Sequence, residues 1–126
     1  MWLANCVRTQ EPLANHTTFR IGGPAEWFAE PSTVDELGVL LRDAERMGIP
    51  VCAIGGGTNL LVSDRGVSGL TVHLGKAFRT IDVLSAPDDV DVRVRCGAAV
   101  STQRLVGLAA EQGWAEIGRA SCRERV

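Results

Sequence analysis

The sequence lacks the features that mark several large classes of protein. No C-x-x-C pair occurs among Cys6, Cys52, Cys96 and Cys122, so the cysteines predict reduced thiols rather than a zinc knuckle or a disulfide framework. No segment approaches the roughly 18 apolar residues of a membrane-spanning helix. The first residues show neither a basic start nor a long apolar run. These absences predict a cytoplasmic protein without a membrane partner.

The sequence also has only a small excess of one sign of charge. Lys and Arg number 13 against 15 Asp and Glu, the formal net charge is -2, and no basic stripe predicts nucleic-acid binding. His73 stands alone in a predicted strand and predicts no metal site, because a metal needs further ligands at suitable spacing. With 126 residues, of which 45% are hydrophobic, the chain is typical of one globular domain.

The clearest pattern that is present is an amphipathic helix. Residues 25–30 predict a short strand, after which Ser32 occupies the position of a helix N-cap, with Asp35 as its capping-box partner. Apolar residues then recur at three- and four-residue steps and predict one buried face: Val34, Leu37, Leu40, Leu41, Ala44 and Met47. Gly48 and Pro50 predict the end of this helix.

The remaining patterns predict further strands and a second helix. The predicted strands are residues 51–54, 69–74, 81–84 and 90–95. The first is apolar enough for a buried strand, and the last two are expected to pair as a hairpin. Ser101 predicts the N-cap of a helix over residues 102–112, and Gly113 predicts its C-terminal end. This order predicts a mixed α+β arrangement and disfavours a regularly alternating fold.

The triplet Gly55, Gly56 and Gly57 interrupts an apolar strand pattern abruptly. Three glycines serve a tight turn as well as they serve a ligand, and successive backbone amides also form anion-binding concavities. Thr58 and Asn59 add a hydroxyl and a carboxamide that can donate to phosphate oxygens. The G-x-G-x-x-G fingerprint lacks its last glycine, and no G-K-S/T follows. The triplet therefore predicts either a plain turn or a pyrophosphate loop of another kind.

A family resemblance runs from about Leu13 to about Ala115. Its motifs are HTTFRIGGPA from His16, IPV from Ile49, GGGTNLLVSD from Gly55 and GVSGL from Gly66. Over these motifs the chain resembles UDP-N-acetylenolpyruvoylglucosamine reductase, a flavoenzyme of bacterial cell-wall synthesis. Enzymes of that family use FAD and NADPH to reduce the enolpyruvyl ether of a UDP-sugar substrate to UDP-N-acetylmuramate.

The resemblance implies an α+β FAD-binding domain of the vanillyl-alcohol-oxidase or PCMH type, with the first subdomain and part of the second present. It implies an FAD pyrophosphate loop formed by Gly55, Gly56, Gly57, Thr58, Asn59 and Leu60. Gly97 resembles another flavin contact, and a plain strand-to-helix turn is its alternative. Several proteins of this fold hold the flavin covalently through a histidine beside the loop. Thr58 and Asn59 stand there in this chain, so the resemblance implies dissociable FAD.

Other residues of the first motif have open roles. His16 is expected to lie in a loop, and Arg20 is either solvated or faces a phosphate. The serine, glutamate and arginine that catalyse the family's reaction are expected beyond residue 126, so the chain is expected to hold no catalytic residue. Two alternatives remain: another oxidase or dehydrogenase of the same flavin fold, and a nucleotide-binding module without chemistry.

The last residues depart from the family pattern. The partial FAD-binding domain is expected to cover residues 1–115. Residues 116–126 are basic and lack apolar periodicity, and most of them also read as one frame of a common sequencing-adapter oligonucleotide. They are therefore predicted to form a non-native tail, and a natural short C-terminus is the alternative. No pattern in the sequence predicts an oligomeric state.

Overall fold

A computed structural model describes Trp2, residues 4–85 and residues 90–115. The chain divides into two compact units, Met1–Phe78 and Arg79–Val126. Neither α-helix of the described part has the length and apolar character needed to cross a membrane. The predicted tail, residues 116–126, lies outside the described residues and stays a prediction.

The first unit is built on a four-stranded sheet. Its strands are β1 (Val7–Pro12), β2 (Pro24–Ala29), β3 (Val51–Ile54) and β4 (Val67–His73). Its helices are α1 (Val34–Met47) and the 3₁₀ helices Leu13–His16 and Lys76–Phe78. The strand order is β1-β2-β4-β3, with β1 antiparallel to β2 and with β4 parallel to both β2 and β3. This mixture agrees with the predicted α+β class.

The central position of β4 explains its burial. Leu70, Thr71 and Val72 are 0%, 1% and 2% exposed, because β4 has a neighbouring strand on each side. Helix α1 carries the chain across from β2 to β3, and β4 later inserts between these two strands. The register of β2 against β4 shifts at a bulge near Gly69, which has a φ of 83°. A Cβ on Gly69 would overlap the Pro50 carbonyl oxygen, so the bulge requires glycine.

Helix α1 begins one residue later than predicted. Thr33 is the N-cap, and its side-chain oxygen accepts a hydrogen bond from the backbone N–H of Glu36 at 3.1 Å. Glu36 in turn accepts a hydrogen bond from the backbone N–H of Ser32 at 2.6 Å. The prediction of Ser32 and Asp35 was wrong because glutamate has the reach that a capping box needs. The predicted end is confirmed, since Gly48 adopts a left-handed φ of 66°.

The buried face of α1 is narrower than its periodicity predicts. Leu40 and Ala44 are fully buried, and Leu37 packs partly buried in the same cluster. Val34 and Leu41 are 69% and 44% exposed, so their predicted place in the core was wrong. At 100° per residue, the side chains of Val34 and Leu41 lie on the same side of the buried face of α1, outside the part that contacts the sheet.

Two apolar clusters cover the sheet of the first unit. The cluster that includes α1 contains Ala29, Leu40, Ala44, Leu70 and Val72. The second cluster contains Leu13, Ala25, Phe28, Ile54 and Val62. Because the adjacent residues Phe28 and Ala29 point to opposite faces of β2, the two clusters lie on the two faces of the sheet.

Strand β3 is at the edge of the sheet, which corrects the prediction of a buried strand. Val51, Cys52 and Ala53 are exposed, and Ile54 is the one residue of β3 that is buried, at 7% exposure. The apolar sequence identifies the strand correctly. It does not determine burial, because within the described sheet β3 pairs with β4 alone.

Two elements precede the first predicted strand and were missed. Strand β1 pairs with β2 from Val7 opposite Ala29 to Pro12 opposite Pro24, and the 3₁₀ helix Leu13–His16 follows it. Most of β1 is polar and exposed. Such a strand has no apolar alternation, and its partner is a distant segment that local patterns do not identify.

The second unit contains two short strands and a helix. They are β5 (Ile81–Val83), β6 (Val94–Cys96) and α2 (Thr102–Glu111). The strands pair antiparallel, which confirms a strand pair, although β6 begins later than predicted and Val90 is fully exposed. The predicted ends of α2 are confirmed. Ser101 accepts a hydrogen bond from the backbone N–H of Arg104 at 3.2 Å, and Gly113 has a φ of 68°.

Candidate functional site

The glycine triplet begins where β3 ends. Strands β2, β3 and β4 are parallel, and Ile54 pairs with His73, so the carboxyl ends of the strands lie at one edge of the sheet. Ile54 and Val62 are 7% and 6% exposed and fix both ends of the intervening segment in the second cluster. We call residues 55–60 the glycine loop. Ligands of parallel sheets bind outside the carboxyl ends of the strands, so the loop occupies a position suited to binding.

Gly57 has a structural role within this loop. Its φ is 66°, in the region that L-residues rarely adopt. A Cβ on Gly57 would overlap the His16 carbonyl oxygen and lie 2.9 Å from the Cα of Thr17. The Gly57 carbonyl also accepts a hydrogen bond from the backbone N–H of Thr18 at 3.0 Å. The chain therefore requires glycine at position 57 whether or not a ligand binds.

Gly55 and Gly56 differ from Gly57. Neither has a φ in the left-handed region, and a Cβ added to either would meet no other atom within 4 Å. Both residues are exposed. Nothing in the described structure demands the absence of a side chain at these two positions. Their bare backbone leaves room for close approach by another molecule.

The next three residues of the loop divide into two kinds. Thr58 and Asn59 are exposed, and their side chains make no hydrogen bond to any described residue. Leu60 is half-buried and packs against the second cluster. The loop thus offers two free polar side chains above an apolar support.

A second segment, residues 16–24, packs alongside the glycine loop and the residues after it; we call it the supporting segment. Gly23 donates a backbone hydrogen bond to the Ser63 carbonyl at 2.9 Å. A Cβ on Gly22 would lie 2.6 Å from the Cβ of Val62. The two glycines thus permit close contact between the segments. Their role was not predicted from the sequence, although their adjacency was a usable signal.

His16 connects the supporting segment to the core. Its ring stacks on Phe28 with 4.4 Å between centroids, and its Nε2 lies 2.9 Å from Oε1 of Glu11. Its carbonyl oxygen packs against Gly57. His16 is the last residue of the 3₁₀ helix Leu13–His16, so its predicted place in a loop was wrong. Its open role is answered in part, because its carbonyl oxygen contacts the glycine loop at Gly57. No sequence pattern indicated this.

A second histidine extends this polar network. The His73 ring bonds Oε1 of Glu30 through Nδ1 at 2.8 Å, and Arg8 donates to Oε2 of Glu30 at 2.7 Å. The hydrogen bond with His73 lowers the pKa of Glu30, and the charges of His73, Arg8 and His16 act in the same direction against the effect of burial. Within the described residues, no three His, Cys, Asp or Glu side chains are grouped to hold a metal ion.

A cavity of about 320 Å³ opens beside the supporting segment. It is lined by Ala14, Asn15, Thr17 and Arg20. The backbone N–H of Arg20 donates to the Thr17 carbonyl at 3.2 Å and closes a turn that shapes the cavity wall.

The comparison with known families bears directly on this architecture. The family described as FAD binding domain matches residues 25–124, which is most of the chain. The chain belongs to the FAD binding domain family. The match confirms the predicted FAD-binding fold and FAD as the cofactor class of this domain.

This FAD binding domain is similar to several curated reductases. It is 42% identical to UDP-N-acetylenolpyruvoylglucosamine reductase of Pelobacter propionicus, over 86% of this chain and 35% of the relative. It is 40% identical to the enzyme of that name from Heliobacterium modesticaldum, over 82% of this chain and 31% of the relative. The Syntrophotalea carbinolica enzyme is 39% identical, over 88% and 35%. The resemblance is confirmed, and the chain spans about a third of the length of these relatives.

The glycine loop of this FAD binding domain fits the cofactor. The backbone at Gly55 and Gly56 is bare and open, and Thr58 and Asn59 carry free donors. These are neutral groups of the kind that bind phosphate oxygens. Contact of each loop residue with FAD stays a prediction.

Gly97, the remaining predicted contact, belongs to the second unit. Its N–H donates to the Thr80 carbonyl at 2.8 Å, and its own carbonyl accepts from Val100 at 3.0 Å. It lies between β6 and α2, as the strand-to-helix alternative requires. A flavin contact at Gly97 stays a prediction beside that structural role.

Proposed function

We propose that the chain is the FAD-binding part of a UDP-N-acetylenolpyruvoylglucosamine reductase. The intact enzyme would reduce its UDP-sugar substrate to UDP-N-acetylmuramate with NADPH, in the cytoplasm, for peptidoglycan synthesis and hence for cell shape and division. The observation that carries the proposal is the open backbone of Gly55 and Gly56 at the carboxyl end of β3. The similarity to the curated reductases supports the choice of reaction.

Each loop residue has a role in this proposal. The bare backbone at Gly55 and Gly56 would hold the pyrophosphate of FAD, and the side chains of Thr58 and Asn59 would donate to its oxygens. Gly57 sets the course of the loop. FAD, when bound, supplies the hydride transfer; the described residues bind and orient it.

Binding without a covalent bond is part of the proposal. Thr58 and Asn59, which follow the glycine triplet, occupy the place where the resemblance puts a linking histidine in other proteins of this fold. His16 packs against the loop through its carbonyl, but its ring is held by Glu11 and Phe28. FAD is therefore expected to dissociate from the protein, chemically unchanged, when the protein unfolds.

Titration with FAD tests the loop assignment. Because a Cβ added at Gly56 meets no other atom of the protein within 4 Å, Gly56→Ala and Gly56→Val should both fold normally. Both should weaken FAD binding, and Gly56→Val should weaken it more. A lost hydrogen bond to a charged group is worth about 1.5–3 kcal/mol, so Gly56→Val should weaken affinity at least about tenfold. Flavin fluorescence measures the affinity, and circular dichroism checks the fold.

Gly38→Ala is the matched control, because this glycine lies in α1 and its Cβ would meet only the flexible end of Arg42, at 3.4 Å. It should leave FAD affinity unchanged. If folded Gly56→Val bound FAD with wild-type affinity, the assignment of the glycine loop to the FAD site would be wrong. A covalent flavin that survives denaturation would contradict the dissociable cofactor.

The reaction is tested in a chimera. Residues 13–115 replace the matching segment of the Pelobacter propionicus reductase, and NADPH oxidation is followed with the enolpyruvyl substrate. The chimera should turn over, and Gly56→Val in it should lower the FAD content. A folded, FAD-loaded chimera without turnover would favour a different flavin enzyme or a binding module.

A further inference from the structure

Arg20 lines the cavity beside the supporting segment together with Ala14, Asn15 and Thr17. The cavity volume of about 320 Å³ is at the lower end of the range for small-molecule pockets, which is about 300–1,000 Å³. A cavity of this size accepts one group of a larger ligand, and not a whole dinucleotide.

The backbone of Arg20 is strained. Its φ is 53°, and among the described residues Gln10 is the one other non-glycine residue with a positive φ. Glycine or asparagine would adopt this conformation at lower cost. Strained residues of this kind concentrate at ligand sites, where the surrounding structure enforces them. The strain therefore favours a role for the arginine side chain itself.

The surrounding turn enforces this conformation. The N–H of Arg20 donates to the Thr17 carbonyl at 3.2 Å, and the Thr17 hydroxyl donates to the Ile21 carbonyl at 3.3 Å. Thr17 is 7% exposed, so the start of the turn is anchored in the interior. The backbone at Arg20 is thereby held in place beside the cavity.

The guanidinium of Arg20 makes no ion pair with any residue of the described ranges. Arg8 and Arg46, by contrast, have carboxylate oxygens at 2.7 Å and 3.1 Å. The Thr17 hydroxyl hydrogen is already used, so the carboxamide of Asn15 is the second free donor of the cavity lining. Donors without acceptors at one cavity fit an anion, and a guanidinium matches the geometry of a phosphate.

The residues that line the cavity are next to the residues of the supporting segment that contact the glycine loop. Thr18, between Thr17 and Arg20, donates to Gly57, and His16 packs against the same glycine. We propose that Arg20 and Asn15 form an anion subsite that binds a phosphate group of a nucleotide. The nucleotide class rests on the proposed function. The phosphate belongs either to FAD or to the nicotinamide nucleotide, since both present the same chemistry.

The test uses the 126-residue chain and three probes: inorganic pyrophosphate, FAD and NADPH. Arg20→Asn removes the charge but keeps a residue that tolerates a positive φ, and Arg20→Lys keeps the charge without the planar fork. Calorimetry at low and high salt measures the affinities. We expect Arg20→Asn to weaken pyrophosphate binding by roughly tenfold and to remove most of its salt dependence. The affinity of Arg20→Lys should lie between those of wild type and Arg20→Asn.

Gln10→Asn is the matched control, because Gln10 has a φ of 54° and does not line the cavity. It should leave all three affinities unchanged. Weakening of FAD binding by Arg20→Asn assigns the phosphate to the flavin nucleotide, and weakening of NADPH binding alone assigns it to the nicotinamide nucleotide. Both outcomes support the subsite.

Unchanged binding of every probe by folded Arg20→Asn overturns the subsite, even if Gly56→Val abolishes FAD binding. If wild type binds none of the three probes, the subsite is overturned as well. If wild type binds pyrophosphate in an Arg20-dependent way but does not bind FAD, the subsite stands and the proposed function fails. The two hypotheses are therefore separated.

Discussion

At the scale of single residues, three adjacent glycines have two different physical roles. Gly57 is required by its left-handed φ and by the carbonyl of His16 packed against it. Gly55 and Gly56 have no such constraint within the protein. The sequence offered a turn and a ligand loop as alternatives, and the structure assigns the turn to the third glycine while leaving the first two open.

Gly57→Ala should therefore unfold at lower denaturant concentration than Gly56→Ala. The left-handed conformation costs an L-residue roughly 1–2 kcal/mol, and the overlap with His16 adds to this, so we expect a total loss of about 3 kcal/mol. Gly56→Ala should change stability by less than about 0.5 kcal/mol. Urea unfolding of both variants measures the difference, and equal stabilities would refute the division of roles.

At the scale of elements, patterns identify the helices well and their contacts less well. Both α-helices lie where periodicity and caps place them, but α1 buries a narrower stripe than predicted, and its N-cap is Thr33. The Thr33 and Glu36 pair of the structure lies one residue after the predicted pair of Ser32 and Asp35. Side-chain reach decides between them, and spacing alone does not.

Thr33→Ala should destabilise the first unit by about 1 kcal/mol, the usual contribution of an N-cap side chain. Ser32→Ala should have a much smaller effect, because Ser32 contributes its backbone N–H and not its hydroxyl to the bond with Glu36. Chemical denaturation of this matched pair measures both. A larger loss in Ser32→Ala would restore the N-cap that the sequence predicted.

At the scale of the whole molecule, stability is linked to pH through the polar network that joins β1 and the ends of β2 and β4. The hydrogen bond with His73 lowers the pKa of Glu30 in the folded chain. A lowered folded pKa stabilises the fold above the carboxyl's ordinary value of about 4.3. That stability is lost as the pH falls through the lowered value.

Glu30→Gln should therefore be less stable than wild type at neutral pH, and the difference should vanish in strong acid. Because the Glu30 side chain is 42% exposed, the effect at neutral pH is expected to stay within about 1 kcal/mol. Thermal unfolding across acid and neutral pH measures it. Glu45→Gln, an α1 residue whose side chain makes no ion pair with a described residue, is the control. A difference that grows on acidification would contradict this linkage.

The sequence by itself determined the α+β class, the two α-helices and the position of the glycine loop. Those features depend on local periodicity, on caps and on dense motifs, which neighbouring residues encode. The resemblance supplied the cofactor class, and the family match confirms it.

Only the tertiary structure decided which features depend on contacts between distant segments. Strand β1 is polar and exists through its pairing with β2, and β3 is an edge strand because β4 inserts between it and β2. The role of Gly57 depends on His16, which is 41 residues earlier in the chain. Such contacts are absent from local sequence patterns because packing, and not periodicity, selects the partner.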